Sequence, residues 1–211
     1  MSKKSLSEVK SEVENLPVET HPFPPYIPDN AKILIMGTFP PGAHRWAMEF
    51  YYPNPTNDFW KMMGLIFYND AFKLYNRETR QYDLLEIKSL LNRYGIALSD
   101  TGYRIRRLKG NASDKFLDIV EPRSISKLLE MMPECRAIAS TGEKASEIIA
   151  AQTNSEPPKT GGMVNGNLNG RLLKIFRMPS TSRAYPLALE KKAEIYRKML
   201  QEVGILASAN K

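Results

Sequence analysis

A single cysteine, Cys135, is all the thiol this 211-residue chain carries. One thiol excludes an internal disulfide and every all-cysteine zinc or iron–sulfur site. Histidine is nearly as scarce: His21 and His44 are the two present, too few for a metal site built on imidazoles. No apolar run approaches the roughly 20 residues of a membrane span, and no secretory leader pattern opens the sequence. The expectations are no membrane, no metal, no cofactor and a reducing cytoplasmic setting. Acidic residues are the minority charge, 23 against 30 Lys and Arg, which leaves a net charge of +7. Basic excess suits a polyanionic partner, because cationic contacts to phosphate release counterions. Charge alone fits a solvated basic surface equally well. The length suits one sizeable core, with no internal repeat, and a monomer is expected.

What the chain does have is four short apolar runs, each ending in a small, polar or Gly/Pro-rich segment. Lys32 to Met36 runs into Gly37-Thr38-Phe39-Pro40-Pro41-Gly42, and Gly95 to Leu98 into Ser99-Asp100-Thr101-Gly102. Arg136 to Ala139 runs into Ser140-Thr141-Gly142, and Leu172 to Phe176 leads to Met178-Pro179-Ser180-Thr181-Ser182-Arg183. Helical sequence separates the runs. Buried strands alternating with helices predict an α/β fold, a three-layer α/β/α sandwich around a central, mainly parallel four-stranded sheet. Strand C-terminal ends in such a sheet share one edge, where ligands bind. Gly37, Asp100, Thr141 and Ser180 should therefore surround one cleft.

Residues 1–28 read as an N-terminal helix and a proline-stiffened connector, and 29–205 as the main domain. Ser5 and Glu8 fit a capping box, with Leu6, Val9, Val13 and Leu16 on one face, up to Pro17. Further helices are expected from about Pro55, over 83–94, near 112–120 and 124–132, over 143–152 and over 187–203. Residues 153–170, rich in Gly, Asn and Pro, read as a loop or irregular hairpin. Tyr103-Arg104-Ile105-Arg106-Arg107-Leu108-Lys109 places four cations beside a tyrosine just after the second strand, near the expected site edge.

Several residues suit chemistry. Glycines at both ends of Gly37–Gly42 permit close approach of backbone to a ligand, and the prolines stiffen the turn. An ordinary tight turn would look the same. The segment lacks the Lys-Ser/Thr ending of a phosphate-binding loop. Tyr51 and Tyr52 precede Pro53-Asn54-Pro55-Thr56-Asn57-Asp58-Phe59-Trp60. An aromatic face can stack on a nucleobase for about 1–3 kcal/mol. Asn57, at a helix start, can cap the helix or hold a ligand or water. Phe59 and Trp60 read as core.

In order along the chain, these segments resemble the uracil-DNA glycosylase superfamily over roughly residues 30–203. Its Gly-x-x-Pro-Gly strand-end motif is similar to Gly37–Gly42, with one extra proline here. The mismatch-specific and hypoxanthine-DNA glycosylase branches follow it with aromatic-x-His-Pro-x-Asn-x-Phe-Trp, which Tyr52–Trp60 matches except that Asn54 replaces the histidine. Gly95–Asp100 resembles their second strand, and Met178–Ser182 the Leu-Pro-Ser-Thr-Ser of the hypoxanthine branch. Two departures stand out. Phe39 occupies the place where most branches carry a water-orienting Asn or Asp, and Met178 the place where the uracil-specific branch has a histidine. The hypoxanthine branch also lacks the first polar residue and relies on the asparagine that corresponds to Asn57, so the pattern is most similar to that branch.

The resemblance implies a monofunctional DNA glycosylase that flips a deaminated base, hypoxanthine or uracil, out of DNA carrying a damaged or mismatched base. It makes Asn57 the catalytic residue, positioning water against the sugar C1′. Gly37, Thr38, Phe39, Tyr52 and Thr141 form the base pocket, with Tyr52 stacking and Thr141 reading the base. Ser180, Thr181 and Ser182 grip phosphate, Arg183 and Tyr185 fill the gap left in the duplex, and Arg106 and Arg107 add backbone contacts. Asp58 and Asp100 are alternative carboxylates. A DNA-binding protein that keeps the fold without hydrolysis is the competing reading, suggested by Phe39 and Met178; retention of Asn57 favours the enzyme.

Overall fold

The computed structural model describes residues 13–109 and 114–207. In chain order its elements are strand β1 (Val18–Thr20), β2 (Ile33–Gly37), helix α1 (Phe59–Tyr68), the short β3 (Tyr75–Asn76) and β4 (Gln81–Tyr82), and α2 (Leu84–Tyr94). Then come β5 (Ile96–Asp100), β6 (Gly102–Arg107), β7 (Leu117–Pro122), α3 (Ile125–Glu130), β8 (Ala137–Ser140), α4 (Glu143–Gln152), β9 (Met163–Leu168), β10 (Arg171–Arg177) and α5 (Leu189–Glu202).

The central sheet has the order β5-β2-β8-β10-β9. Its first three pairings are parallel and the β10–β9 pairing is antiparallel. The four expected strands are all present, and the sheet has a fifth. Residues 163–168 form an edge strand because the hairpin folds them back onto β10, with Met163 opposite Phe176 and Leu168 opposite Arg171. An edge strand with one solvated side needs no continuous apolar run, so Asn165 and Asn167 are tolerated there.

Side-chain alternation along β2 builds the layers. Ile33 and Ile35 face one core with Phe59, Trp60, Leu90, Leu91, Tyr196 and Met199, from α1, α2 and α5. Leu34 and Met36 face the other with Ile125, Leu128, Leu129 and Ile149, from α3 and α4. These four residues of β2 are fully buried, as a strand covered on both faces must be.

Two expectations are corrected. The capping-box residues Ser5, Leu6, Glu8 and Val9 lie outside the described residues; within them, 13 and 14 are helical, but Val18–Thr20 is extended and pairs antiparallel with Arg104–Arg106. Pro17 ends the helix, and pairing with β6 takes the residues beyond it. The stretch near 112–120 is corrected too: 112 and 113 lie outside the described residues, and the described residues 114–120 are not an α-helix. Residues 114–116 make one 3-10 turn, and Leu117–Pro122 joins a three-stranded antiparallel sheet of order β1-β6-β7. Leu117 and Ile119 repeat at the period of two that suits a strand, opposite Arg107 and Ile105.

Asp83 caps α2 by accepting the Glu86 N–H, and Gly95 closes it in the left-handed region at φ 65°. A Cβ on Gly95 would stand 2.3 Å from the Asn30 carbonyl oxygen. Gly95→Ala should therefore cost at least the roughly 1–3 kcal/mol of a left-handed non-glycine residue. Leu85→Ala, at a side chain 84% exposed on the same helix, should stay within about 0.5 kcal/mol. Urea unfolding of the two variants measures the difference; equal losses would remove the backbone constraint at Gly95.

Candidate active site

At the carboxyl edge of the parallel strands lies a cavity of about 740 Å³. Gly37 and Asp100, the last residues of β2 and β5, line it, together with Thr141 after β8 and Ser180 after β10. The four strand ends expected to share an edge thus meet around one space. Asn57 reaches it from the N-terminus of α1, and Thr38, Phe39, Tyr52, Thr181, Ser182 and Arg183 line it as well.

Tyr52 is built in firmly. Its ring stacks on Phe59 with centroids 3.8 Å apart and planes 13° apart, and its hydroxyl lies 3.2 Å from Thr141 Oγ1. Its backbone is left-handed at φ 54°, a strained state that for a bulky residue signals a constraint imposed by its surroundings. Burial pushes the phenol well above its ordinary pKa, and nearby Asp100 pushes it further, so Tyr52 stays a neutral hydroxyl.

Asn57 Oδ1 accepts the Phe59 N–H at 2.8 Å, which satisfies the first N–H of α1 and holds the amide at the helix start. Asp58 is not a free carboxylate: its Oδ2 accepts from Lys192 Nζ at 2.7 Å, and that lysine side chain is wholly buried. Lys192 Nζ also donates to the Ser182 carbonyl at 2.9 Å, and Asp58 N–H donates to the Thr181 carbonyl at 2.8 Å. One buried cation therefore joins the start of α1 to the loop after β10.

Two other carboxyl groups face the cavity. Asp100 Oδ2 accepts from His21 Nε2 at 2.8 Å; the ring of His21 is buried, edge-on to Phe39 with centroids 5.1 Å apart. Asp114 Oδ2 accepts the Thr38 hydroxyl at 2.8 Å. Burial raises the Asp114 carboxyl pKa; the Thr38 hydrogen bond opposes this, and the charge of Asp100 adds to the rise.

Other expected site residues are placed differently from the simple reading. Ser180 and Ser182 accept backbone N–H groups of Ser182 and Ala184, and Thr181 is buried. The exposed cations on the cavity lining are Arg45, Lys115 and Arg183. Tyr185 does not line the cavity; Lys192 Nζ sits 5.8 Å from its ring centroid. Arg106 and Arg107 are not on the lining either. Arg106 pairs with Asp118 at 3.3 Å, Arg107 with Glu19 at 2.8 Å, and Arg104 with Glu121 at 3.8 Å. Arg107 also donates to the Pro40 carbonyl at 2.7 Å, bracing the Gly37–Gly42 turn from behind. Among the described residues, no group of three His, Cys, Asp or Glu is placed to hold a metal ion.

Three residues of the site and its support, His21, Asp114 and Lys192, escape sequence reasoning. His21 lies 79 residues from its partner Asp100, and no local pattern links the two. Asp114 lies in the stretch read as a helix. Lys192 did carry a signal, as a lone charge on the apolar stripe Leu189, Tyr196 and Met199 of α5.

The fold is similar to that of a solution NMR structure of a candidate uracil DNA glycosylase from Methanosarcina acetivorans. The TM-score is 0.59 at 22% identity, covering 89% of this chain and 99% of that one. No family model matches the chain. A hypoxanthine DNA glycosylase from Methanosarcina barkeri is 34% identical over 125 residues, 59% of this chain and 72% of the relative. One from Methanosarcina acetivorans is 32% identical over 126 residues, with the same coverage. The chain belongs to the uracil-DNA glycosylase superfamily, in its hypoxanthine-DNA glycosylase branch.

Two outcomes follow from the buried charges. Lys192→Met strands the Asp58 carboxylate and should cost about 3–5 kcal/mol, whereas Lys192→Met with Asp58→Asn should recover part of it, by denaturant unfolding. A double variant no more stable than the single one would count against the pair. The raised carboxyl of Asp114 holds a proton in the folded state that the unfolded chain has already released. Its contribution to stability is therefore lost as pH rises from the ordinary value of 3.8 through the raised one. Asp114→Asn should melt higher than wild type at neutral pH, with the gap closing at and below pH 3.8. A gap constant across that window would contradict the assignment.

Proposed function

We propose that this DNA glycosylase takes a deaminated base, hypoxanthine or uracil, out of the DNA stack into the cavity at the strand ends and hydrolyses its N-glycosidic bond. The observation that carries the reading is the convergence of Gly37, Tyr52, Asn57 and Thr141 on one cavity. A flipped base lies on the Tyr52 ring, whose position Phe59 already fixes. Gly37 and Thr38 let the backbone approach it closely, Phe39 closes one side, and the Thr141 hydroxyl reads its polar edge.

Chemistry at C1′ needs little from the protein beyond placement. The C1′–N bond breaks with its electron pair going to the base, a water oxygen bonds to C1′, and the proton lost by water ends on the released base. Asn57 is the catalytic residue. An amide is too weak a base to abstract a proton, so its part is to hold the water in line and oppose its drift during bond breaking. The geometry of Asn57 supports this, because an amide fixed at one atom presents its other group in one direction.

Arg183, Arg45 and Lys115 at the mouth supply positive charge for the phosphate backbone. Ser180, Thr181 and Ser182 shape that loop, with backbone groups as the phosphate contacts. Tyr185 and Arg183 fill the gap in the duplex. Arg107 acts from behind, through the turn it braces, and Arg106 adds positive charge on the neighbouring strand β6. The protein works as a monomer in the cytoplasm, the domain of residues 29–205 carrying the activity.

Single-turnover excision on oligonucleotides carrying hypoxanthine, uracil, xanthine or mismatched thymine tests the proposal. Wild type should release at least one deaminated base. Asn57→Ala should lose about 10²–10³-fold in rate, the usual effect of removing one transition-state hydrogen-bonding group, with DNA binding within a few-fold. An unchanged rate would remove Asn57 from the mechanism. No release by wild type from any of the four would leave a DNA-binding protein of the same fold.

A further inference from the structure

We propose that Asp114 is a second catalytic residue of the cavity, an acid that gives its proton to the departing base, and that it serves a purine better than a pyrimidine. The proposal rests on the glycosylase reading above and gives that site a substrate class. It starts from placement. The 3-10 turn of residues 114–116 carries Asp114 onto the cavity lining, with Thr38 and Thr141. Its Oδ2 accepts the Thr38 hydroxyl at 2.8 Å, and a Cβ on Gly142 would stand 3.8 Å from the side-chain oxygen Oδ2. The carboxyl is therefore held between the turns that follow β2 and β8, next to the residue that follows Thr141.

Its surroundings favour the protonated form. Two cations are near and engaged elsewhere: Lys144 Nζ donates to the Leu117 carbonyl, and Arg107 pairs with Glu19 and donates to the Pro40 carbonyl. Lys115, its chain neighbour, is exposed at the mouth. Asp100 and Tyr52 bring a carboxylate and a neutral phenol. Burial raises the Asp114 pKa, the Thr38 hydrogen bond opposes this, Asp100 adds to the rise, and Lys144 and Arg107 oppose it. Because Oδ2 accepts from Thr38, the proton of the neutral acid belongs on Oδ1.

A departing base takes the C1′–N electron pair, and the negative charge that builds on its ring has to be answered. In hypoxanthine, N7 keeps a free lone pair beside the C6 carbonyl. A C6 carbonyl turned to the Thr141 hydroxyl brings N7 toward the residues flanking Thr141, and Asp114 stands among them. The Oδ1–H bond breaks with its electrons left on the carboxylate, the proton bonds to N7, and hypoxanthine leaves as a neutral molecule. A water oxygen bonds to C1′, and the proton this water sheds passes to the carboxylate and restores the acid. Uracil offers no such nitrogen, since N1 is in the breaking bond and N3 carries hydrogen. Only its weakly basic carbonyl oxygens remain, so the acid does less for it. Asn57 thus serves the attacking water and Asp114 the leaving group.

The test is single-turnover release of hypoxanthine and of uracil from oligonucleotides by the full chain, followed from mildly acid to mildly alkaline pH. The wild-type rate on hypoxanthine should fall by about tenfold per pH unit above the raised pKa of Asp114, because the protonated form is the active one. Asp114→Asn should be slower on the acid side by roughly 100- to 10,000-fold, the usual contribution of a positioned acid, and flat with pH. That variant is the one expected above to melt higher, so instability does not account for the loss. Thr38→Val removes the hydrogen bond that holds the pKa down and should move the fall to higher pH. On uracil, Asp114→Asn should lose less than on hypoxanthine; an equal loss on both bases removes the purine preference. A wild-type rate on hypoxanthine that is flat or rises with pH overturns the proposal whether or not any variant folds, as does an Asp114→Asn protein as fast as wild type. Release with such a profile sinks the role of Asp114 alone, whereas release of no base by wild type sinks the glycosylase reading and this one with it.

Discussion

Parallel strands can hydrogen-bond side by side only if all of them run the same way, so β5, β2, β8 and β10 must end at one edge. The rest of the molecule depends on that constraint. It forces each return connection to cross a face of the sheet, which is why helices cover both sides and β2 is apolar throughout. It also crowds four chain reversals together, leaving backbone groups there without ladder partners. Thr101 and Gly102 N–H donate to the Gly37 and Thr38 carbonyls, Thr141 N–H to Met36 and Met178 N–H to Ser140. The edge is knitted by its own turns before any side chain takes part.

Side chains then convert a knitted edge into a shaped one. Lys192 carries a cation into a place from which water is excluded, and Asp58 answers it. Isolated burial of either would be prohibitive, and together they contribute less to stability than to placement. The pair fixes the loop after β10 against the start of the helix that carries Asn57. His21 likewise fixes Asp100, through a 2.8 Å contact of Nε2 with Oδ2. Residues that touch the cavity are thus held by residues that do not, and the supporting partners come from the first and last described parts of the chain.

Legibility followed the same division. Strands buried on both faces are written as apolar runs, so β2, β5, β8 and β10 could be read directly. β9 is polar on one side, and Asn165, Gly166 and Asn167 look like loop sequence until β10 is there to pair with them. β7 reads as helix in the sequence because a short apolar cluster such as Leu117, Ile119 and Val120 does not reveal its period, and the deciding partner, β6, is supplied by the tertiary fold. In the site, residues standing directly at strand ends, Gly37, Asp100 and Thr141, were legible because topology alone places them. His21 and Asp114 were not, since what makes each notable is a neighbour far away in sequence. The Arg106 and Arg107 cluster shows the converse hazard. Its charges are conspicuous in one dimension and are answered by Asp118 and Glu19 in three.

The stacked rings of Tyr52 and Phe59 have a further consequence, in entropy. An aromatic side chain that is free before binding must surrender its rotamers when a ligand arrives, at about 0.5–1.5 kcal/mol for each side chain immobilised. Tyr52 has surrendered them already: a second ring lies against it at 3.8 Å, its hydroxyl is held by Thr141, and its backbone sits in a conformation that few other sequences would support. That loss is charged to folding, where it is one small part of a large cooperative transition. A planar ligand entering the cavity meets a surface with nothing left to order, so its residence there is set by the ligand's own contacts and not by the settling of the wall.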